Sequence, residues 1–361
     1  MACFDKQGWR LVPRGRVPIV RHLEIGGIMQ ETRYDVVGIG NAIVDIIGRC
    51  DDGFLSKHDL AKGFMRLIDA SEADRLYGLM GPSIERSGGS AANTIAGLAS
   101  FGGRGAFIGR VADDQFGKVF WHDIHSAGVA FDTSPAANGL PTAVCLILVT
   151  PDGERTMNTF LGASTELGIG ELNTEMIAAA KITYLEGYLF DKPEAKAAYY
   201  AAAEIATKAG RKTALSLSDA FCVDRHRADF RKLIKDGTDI LFANEKEITA
   251  LYEVNSFDEA VAKVRGECQI AVLTRSEAGS LIVTANETVD VRPVRVAKVV
   301  DATGAGDLYA AGFLYGYTRN LNLADCGRLG SLAAAEVISH IGARPERPLS
   351  AIAQQEGLLP R

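Results

Sequence analysis

No stretch of this sequence approaches the ~18 uninterrupted apolar residues that a membrane-spanning helix requires. Cys-x-x-Cys pairs are missing as well. The six cysteines, Cys3, Cys50, Cys145, Cys222, Cys268 and Cys326, lie far apart, which argues against a disulfide framework or zinc site and for buried thiols in a reducing cytoplasm. Lysine-rich clusters are absent, and a formal net charge of -6 with a pI near 5.6 offers no attraction to nucleic acid or anionic membrane. No G-x-x-x-x-G-K-[S/T] occurs, so a Walker A nucleotide loop is excluded. Gly38-Ile39-Gly40 follows an apolar run, but the third glycine of the dinucleotide fingerprint is missing and Asn41 begins no helix.

What is present suits a large globular enzyme: 361 residues, 47% hydrophobic and 23% charged, with 38 glycines available for short strand–helix turns. Residues 1–33 scatter Lys6, Arg10, Arg14, Arg16 and Arg21 without an apolar core, so they form no secretory signal. Leu11-Val12-Pro13-Arg14-Gly15 resembles a thrombin cleavage site. This stretch is expected to be a disordered extension, with one domain over 34–361.

Tyr34–Ile47 reads as one buried strand whose alternation places Ile39, Asn41, Ile43, Asp45 and Ile47 on one face. Asn41 and Asp45 on such a face need partners or a pocket. Residues 140–162 read as a β-hairpin turning at Pro151-Asp152-Gly153. Beyond it, strands 182–186, 213–217, 240–243, 270–273 and 280–284 alternate with helices 193–209, 228–235, 245–252 and 256–264. This order predicts a three-layer α/β/α sandwich with a mostly parallel sheet. The β-rich pieces at 41–74 and 140–162 form a small lid, and ligands belong beyond the strand ends near Asn244, Thr274 and Thr303.

The most informative run is Val300-Asp301-Ala302-Thr303-Gly304-Ala305-Gly306-Asp307. A strand-like segment ends, small residues allow a tight turn, and a helix begins. Its free N–H groups and positive dipole end make a seat for an anion. Asp307 beside that seat either compensates the dipole or takes a proton from a hydroxyl attacking bound phosphate. A second run, Ser87-Gly88-Gly89-Ser90-Ala91-Ala92-Asn93, opens another helix, with Ser90 as a candidate N-cap and Asn93 in reach of a substrate hydroxyl.

Together, Gly88-Gly89 with Asn93 and Asp301-x-Thr303-Gly304-Ala305-Gly306-Asp307 resemble the two signatures of the PfkB (ribokinase-like) family of sugar and nucleoside kinases. Gly40–Asp45 looks like the family's first substrate-binding strand, and Asn244-Glu245-Lys246-Glu247 is similar to its NxxE motif. The resemblance covers roughly residues 34–345 and implies transfer of the γ-phosphoryl of MgATP to a primary hydroxyl. It implies Asp307 as general base and the N–H groups of the Gly304–Asp307 turn as an anion hole. Asn41, Asp45, Gly88, Gly89, Asn93 and Glu186 would hold the sugar; a carboxylate such as Asp45 suits a vicinal diol. Asn244 and Glu247 would order Mg2+ through water, and Thr274, Arg275, Ser276 and Gly279 would carry ATP. Ser276 and Ala302 depart from the commoner glycine and threonine. Asp301 is a candidate ligand for a monovalent cation such as K+. Arg155 either reaches toward phosphate or is a solvated hairpin charge.

Met157, Phe160 and Leu161 are either lid core or a platform for a purine. His122 and His125 read as helix-surface residues. The resemblance is strongest to bacterial members described as adenosine kinases or generic sugar kinases, so the expected reaction is adenosine to AMP in the cytoplasm. A free sugar such as ribose or fructose, or another nucleoside, is the alternative. Either a monomer or a homodimer joined through an exposed lid sheet is compatible with the sequence.

Overall fold

Residue spacing produces two sheets rather than one. The structure, a computed structural model, describes residues 31–360, so the expectation for residues 1–33 lies almost wholly outside the described residues. The first strands are β1 (Tyr34–Ile39), β2 (Ile43–Arg49), β3 (Met65–Leu67), β4 (Ser83–Gly88), β5 (Gly105–Ile108), β6 (Val129–Ala130) and β7 (Ala143–Val149). They are followed by β8 (Arg155–Phe160), β9 (Ala180–Glu186), β10 (Lys212–Ser216), β11 (Ile240–Asn244), β12 (Ile270–Thr274), β13 (Ser280–Val283) and β14 (Thr288–Val291).

Among the described residues, nine strands form the main sheet in the order β14-β13-β12-β11-β10-β9-β1-β5-β6. Neighbours from β6 to β12 are parallel, and β13 and β14 add an antiparallel edge. Alternating side chains bury both faces. Val36 joins the layer built from helices Ser90–Ser100, Ala305–Tyr317 and Leu323–Val337, while Val37 and Ile39 join helices Pro193–Lys208 and Ala220–Gly237 on the other side. The sandwich expected from the strand–helix alternation is the observed fold. No helix among the described residues is long and apolar enough to cross a membrane.

The five-stranded lid sheet runs β3-β8-β7-β2-β4. The 34–47 segment is therefore not one strand. The chain leaves the main sheet after Ile39, turns through Gly40-Asn41-Ala42, and re-enters pairing in the lid. At that exit Glu186, ending β9, accepts from the Asn41 backbone N at 2.7 Å and fastens the turn. The lid also extends to Gly88, because β4 (SIERSG) pairs with β2 although it lacks any apolar alternation. One lid face, with Val44, Ile46, Val144, Leu146 and Phe160, merges into the main core. The other carries Cys145, Ile147 and Val149 with Ile43, Ile47 and Met157. It also carries Asp45, two residues from both Ile43 and Ile47 along β2.

Gly89 is the joint between lid and sandwich. It follows β4, has φ 96, and caps the helix Ser90–Ser100; a Cβ there would stand 2.0 Å from the Asn41 carbonyl oxygen. Gly89→Ala should therefore cost about 2–5 kcal/mol of stability. Gly81→Ala, whose Cβ would meet nothing within 4 Å, should change it by less than about 0.5 kcal/mol. Paired thermal-unfolding curves check this; equal melting temperatures would contradict it.

Candidate active site

Two helix N-termini meet at one carboxylate. Gly97 lets the helix Ser90–Ser100 approach Leu308 and Ala311 of the helix Ala305–Tyr317, since a Cβ at Gly97 would lie 2.5 Å from Leu308 and 2.8 Å from Ala311. Across that contact Ser90 Oγ donates to Asp307 Oδ1 at 2.6 Å, and Asn93 Nδ2 donates to Oδ2 at 3.1 Å. Ser90 is thus not the N-cap; Gly89 takes that position and the hydroxyl serves Asp307 instead. Burial pushes the Asp307 carboxyl above its ordinary value, while Ser90, Asn93 and the charge of Arg344 pull it back.

The turn before Asp307 is open. Gly304 sits at φ 78, and a Cβ there would lie 2.8 Å from Ala343 Cβ, whereas one on Gly306 would meet nothing within 4 Å. Ala305 N–H leans on the Ala302 carbonyl at 3.3 Å, and among the described residues the Gly306 and Asp307 N–H groups find no acceptor. Those donors can receive an anion. Ala302 is exposed, so its departure from threonine is sterically free.

Arg155 comes to this turn from the lid. It is 9% exposed, which rules out a solvated hairpin charge. Its guanidinium pairs with Asp301, and Nη1 donates to Thr303 Oγ1 at 2.9 Å. Asp301 also accepts from Thr303 N at 2.9 Å and Gly342 N at 2.8 Å. That carboxylate already has its counter-ion, so the donor set does not fit a second cation such as K+ in this conformation.

Asp45 points from the open lid face with no hydrogen bond or ion pair among the described residues. Burial pushes its carboxyl up to about 7, opposed by Arg344 and Arg155 and reinforced by Asp307 and Asp301. Gly88 makes room for it: a Cβ there would lie 2.3 Å from Asp45 Oδ2.

Other expected substrate contacts turn inward. Asn41 Nδ2 donates to Glu186 Oε1 at 2.7 Å, its Oδ1 accepts from Ser164 Oγ at 2.8 Å, and Ala91 N donates to Glu186 Oε2 at 2.6 Å. With Glu186 0% and Asn41 3% exposed, both clamp the lid joint rather than face the cleft. Phe160 also faces away. It lies three residues from Met157 on one strand, hence on the opposite face, in the main core. Leu161 begins the turn after β8.

At the strand ends, Asn244 and Thr274 are register partners, as a cleft beyond the sheet requires. Asn244 and Glu247 form a reciprocal capping box: Asn244 Oδ1 accepts from Glu247 N at 2.9 Å and Glu247 Oε2 from Asn244 N at 2.9 Å. Asn244 is exposed and Glu247 6% exposed, with both carboxylate oxygens of Glu247 spent on Asn244. In the loop after β12, Arg275 N donates to Gly279 O at 2.7 Å. Ser276 has φ 50, a left-handed conformation that glycine adopts at less cost than serine.

Sequence reasoning gave no role to Arg344, Asp123 or Ser87, although Ser87 opens the Gly88-Gly89 run, because the three come from separated elements. It also missed two aromatics beyond β9 and β10, Tyr188 at 41% and Phe221 at 75% exposure.

Residues 81–349 match the model of the pfkB family of carbohydrate kinases. The chain belongs to that family. As a pfkB kinase it is 52% identical to an adenosine kinase from Sinorhizobium meliloti, over 90% of this chain and 100% of the other, with a TM-score of 0.84. A probable sugar kinase from Rhizobium etli is 51% identical over 91% of this chain and 100% of its own, also at a TM-score of 0.84. A probable chloroplastic fructokinase of Arabidopsis thaliana is 29% identical over 84% of this chain and 75% of its own. Membership in this kinase family implies ATP as phosphoryl donor, typically with Mg2+, and a small sugar or nucleoside as acceptor.

Burial raises three carboxyls of the pfkB kinase, Asp45, Glu186 and Glu247, each to about 7. Folded pKa values above the unfolded ones mean that the folded chain binds more protons. Their stabilisation is full below the unfolded values of 3.8 and 4.5 and is lost as pH rises toward 7. The ligand-free protein should therefore melt at a lower temperature at about pH 7.5 than at about pH 5, with a shallower slope in Glu247→Gln. A melting temperature that climbs across this window would overturn the assignment.

Proposed function

We propose that this kinase phosphorylates the 5′-hydroxyl of adenosine from MgATP, giving AMP and ADP. The observation that carries the reading is Asp307, gripped at both oxygens by Ser90 and Asn93 beside the unpaired N–H groups of its own helix. In this scheme Asp307 takes the hydroxyl proton as that oxygen attacks the γ-phosphorus, and the bond from phosphorus to the ADP oxygen breaks. The N–H groups of Gly306 and Asp307 receive charge on the transferring group. Magnesium, held through water by Asn244 and Glu247, would neutralise charge on the phosphate chain. Arg155 adds a cation at the same turn once phosphate draws it from Asp301.

Asp45 is an unpartnered carboxylate suited to a vicinal diol, which a nucleoside and a free sugar both carry; its surroundings favour the nucleoside. Around it Ile43, Ile47, Ile147 and Met157 offer an apolar face, and Phe221 and Tyr188 are exposed aromatics that could stack on a base. The 52% identical adenosine kinase supports the same choice. A free sugar, supported by the fructokinase relative, would leave that apolar face uncovered.

A phosphorylation screen with MgATP over nucleosides and free sugars tests the substrate, and activity confined to free sugars would reject adenosine. Asp307→Asn should lower kcat by about 100-fold or more while the dissociation constant for adenosine changes less than about threefold. Undiminished turnover in that variant would sink the base assignment. Asp45→Ala should instead raise KM, with kcat less affected.

A further inference from the structure

We infer that Arg344 is a substrate-contacting residue, whose free guanidinium nitrogen donates to the same sugar hydroxyl that donates to Asp45. The inference deepens the adenosine reading and rests on it. Arg344 follows the helix Leu323–Val337 in an irregular turn. Its neighbour Ala343 packs on Gly304 of the anion turn. On the other side Arg344 Nε donates to the Ser87 carbonyl at 3.2 Å, and Nη2 donates to Ser87 Oγ at 3.0 Å. Ser87 is clamped in turn by Asp123, whose Oδ2 accepts from Ser87 N at 2.7 Å and Ser87 Oγ at 2.6 Å.

Ser87 and Asp123 thus fix the guanidinium at the residue preceding Gly88, against which the Asp45 carboxylate lies, while Ala343 ties the same turn to Gly304. Nη1 is left over. It is buried and has no hydrogen-bond partner, a state that is costly unless a ligand completes it. The charge it carries acts on Asp45 and Asp307 as well as on Asp123. A sugar hydroxyl answers both sides, donating its proton to a carboxylate and accepting from an arginine. A deoxy carbon answers neither, so the Asp45–Arg344 pair reads the presence of that hydroxyl.

The test is steady-state kinetics with MgATP on adenosine, 2′-deoxyadenosine and 3′-deoxyadenosine, for wild type, Arg344→Gln, Arg344→Lys and Asp123→Asn. Arg344→Gln should raise KM for adenosine about 10-fold or more and leave kcat within about threefold. KM for whichever deoxy analogue lacks the shared hydroxyl should stay nearly constant, so discrimination collapses. Arg344→Lys should restore part of it, and Asp123→Asn, remote from substrate, should show the same pattern more weakly. Should Arg344→Gln fail to fold, the Asp123→Asn comparison decides alone. An equal rise in KM for all three substrates, a fall confined to kcat, or no change would each overturn the inference. Wild-type enzyme active only on a free sugar would instead refute the adenosine reading, and the deoxy forms of that sugar would then decide the role of Arg344.

Discussion

The contact between the helices Ser90–Ser100 and Ala305–Tyr317 is the constraint on which the site depends. It exists because Gly97 of the first helix admits Leu308 and Ala311 of the second at close range, while Gly312 admits the Leu329 backbone of the helix Leu323–Val337 behind it. Bulkier residues would push the helices apart and carry Ser90 and Asn93 out of reach of Asp307. Two positive helix ends then converge on one buried carboxylate. Burial raises that carboxyl above its ordinary value, and the hydrogen bonds from Ser90 and Asn93, with the charge of Arg344, oppose the rise.

Charge balance follows from the same crowding. Asp301 and Asp307 lie near enough to Asp45 to act on it electrostatically, and two arginines from distant parts of the chain oppose them. Arg155 belongs to the lid and Arg344 to the sandwich, so each part of the fold contributes one cation that acts on Asp45. Glu186 plays another part. Its three N–H partners tie the start of the lid to the main sheet, which makes a buried carboxylate a mechanical fastening rather than a substrate contact.

Most regular elements were legible. Helix 245–252 and the strands near 182, 213, 240 and 270 stand within one or two residues of their expected limits, because burial on both faces leaves continuous apolar runs. Strand β4 was not legible. Its residues carry no periodicity, and it is a strand only because β2 offers it a partner. Of the residues read as lid core or purine platform, Phe160 is core and Met157 lies on the other face, because strand alternation sends residues an odd number apart to opposite faces.

By itself, the sequence determined the alternation of strands and helices, the two glycine turns, and Asp307 at a helix start, since each depends on residues close together in the chain. Tertiary structure alone decided that Ser90 serves Asp307 and not its own helix, that Asn41 and Glu186 turn inward, and that Arg155 and Arg344 enter the site. Those outcomes depend on which distant side chain supplies a buried group's missing partner, and hydrogen-bond satisfaction in a closed interior is settled only when the whole chain has packed.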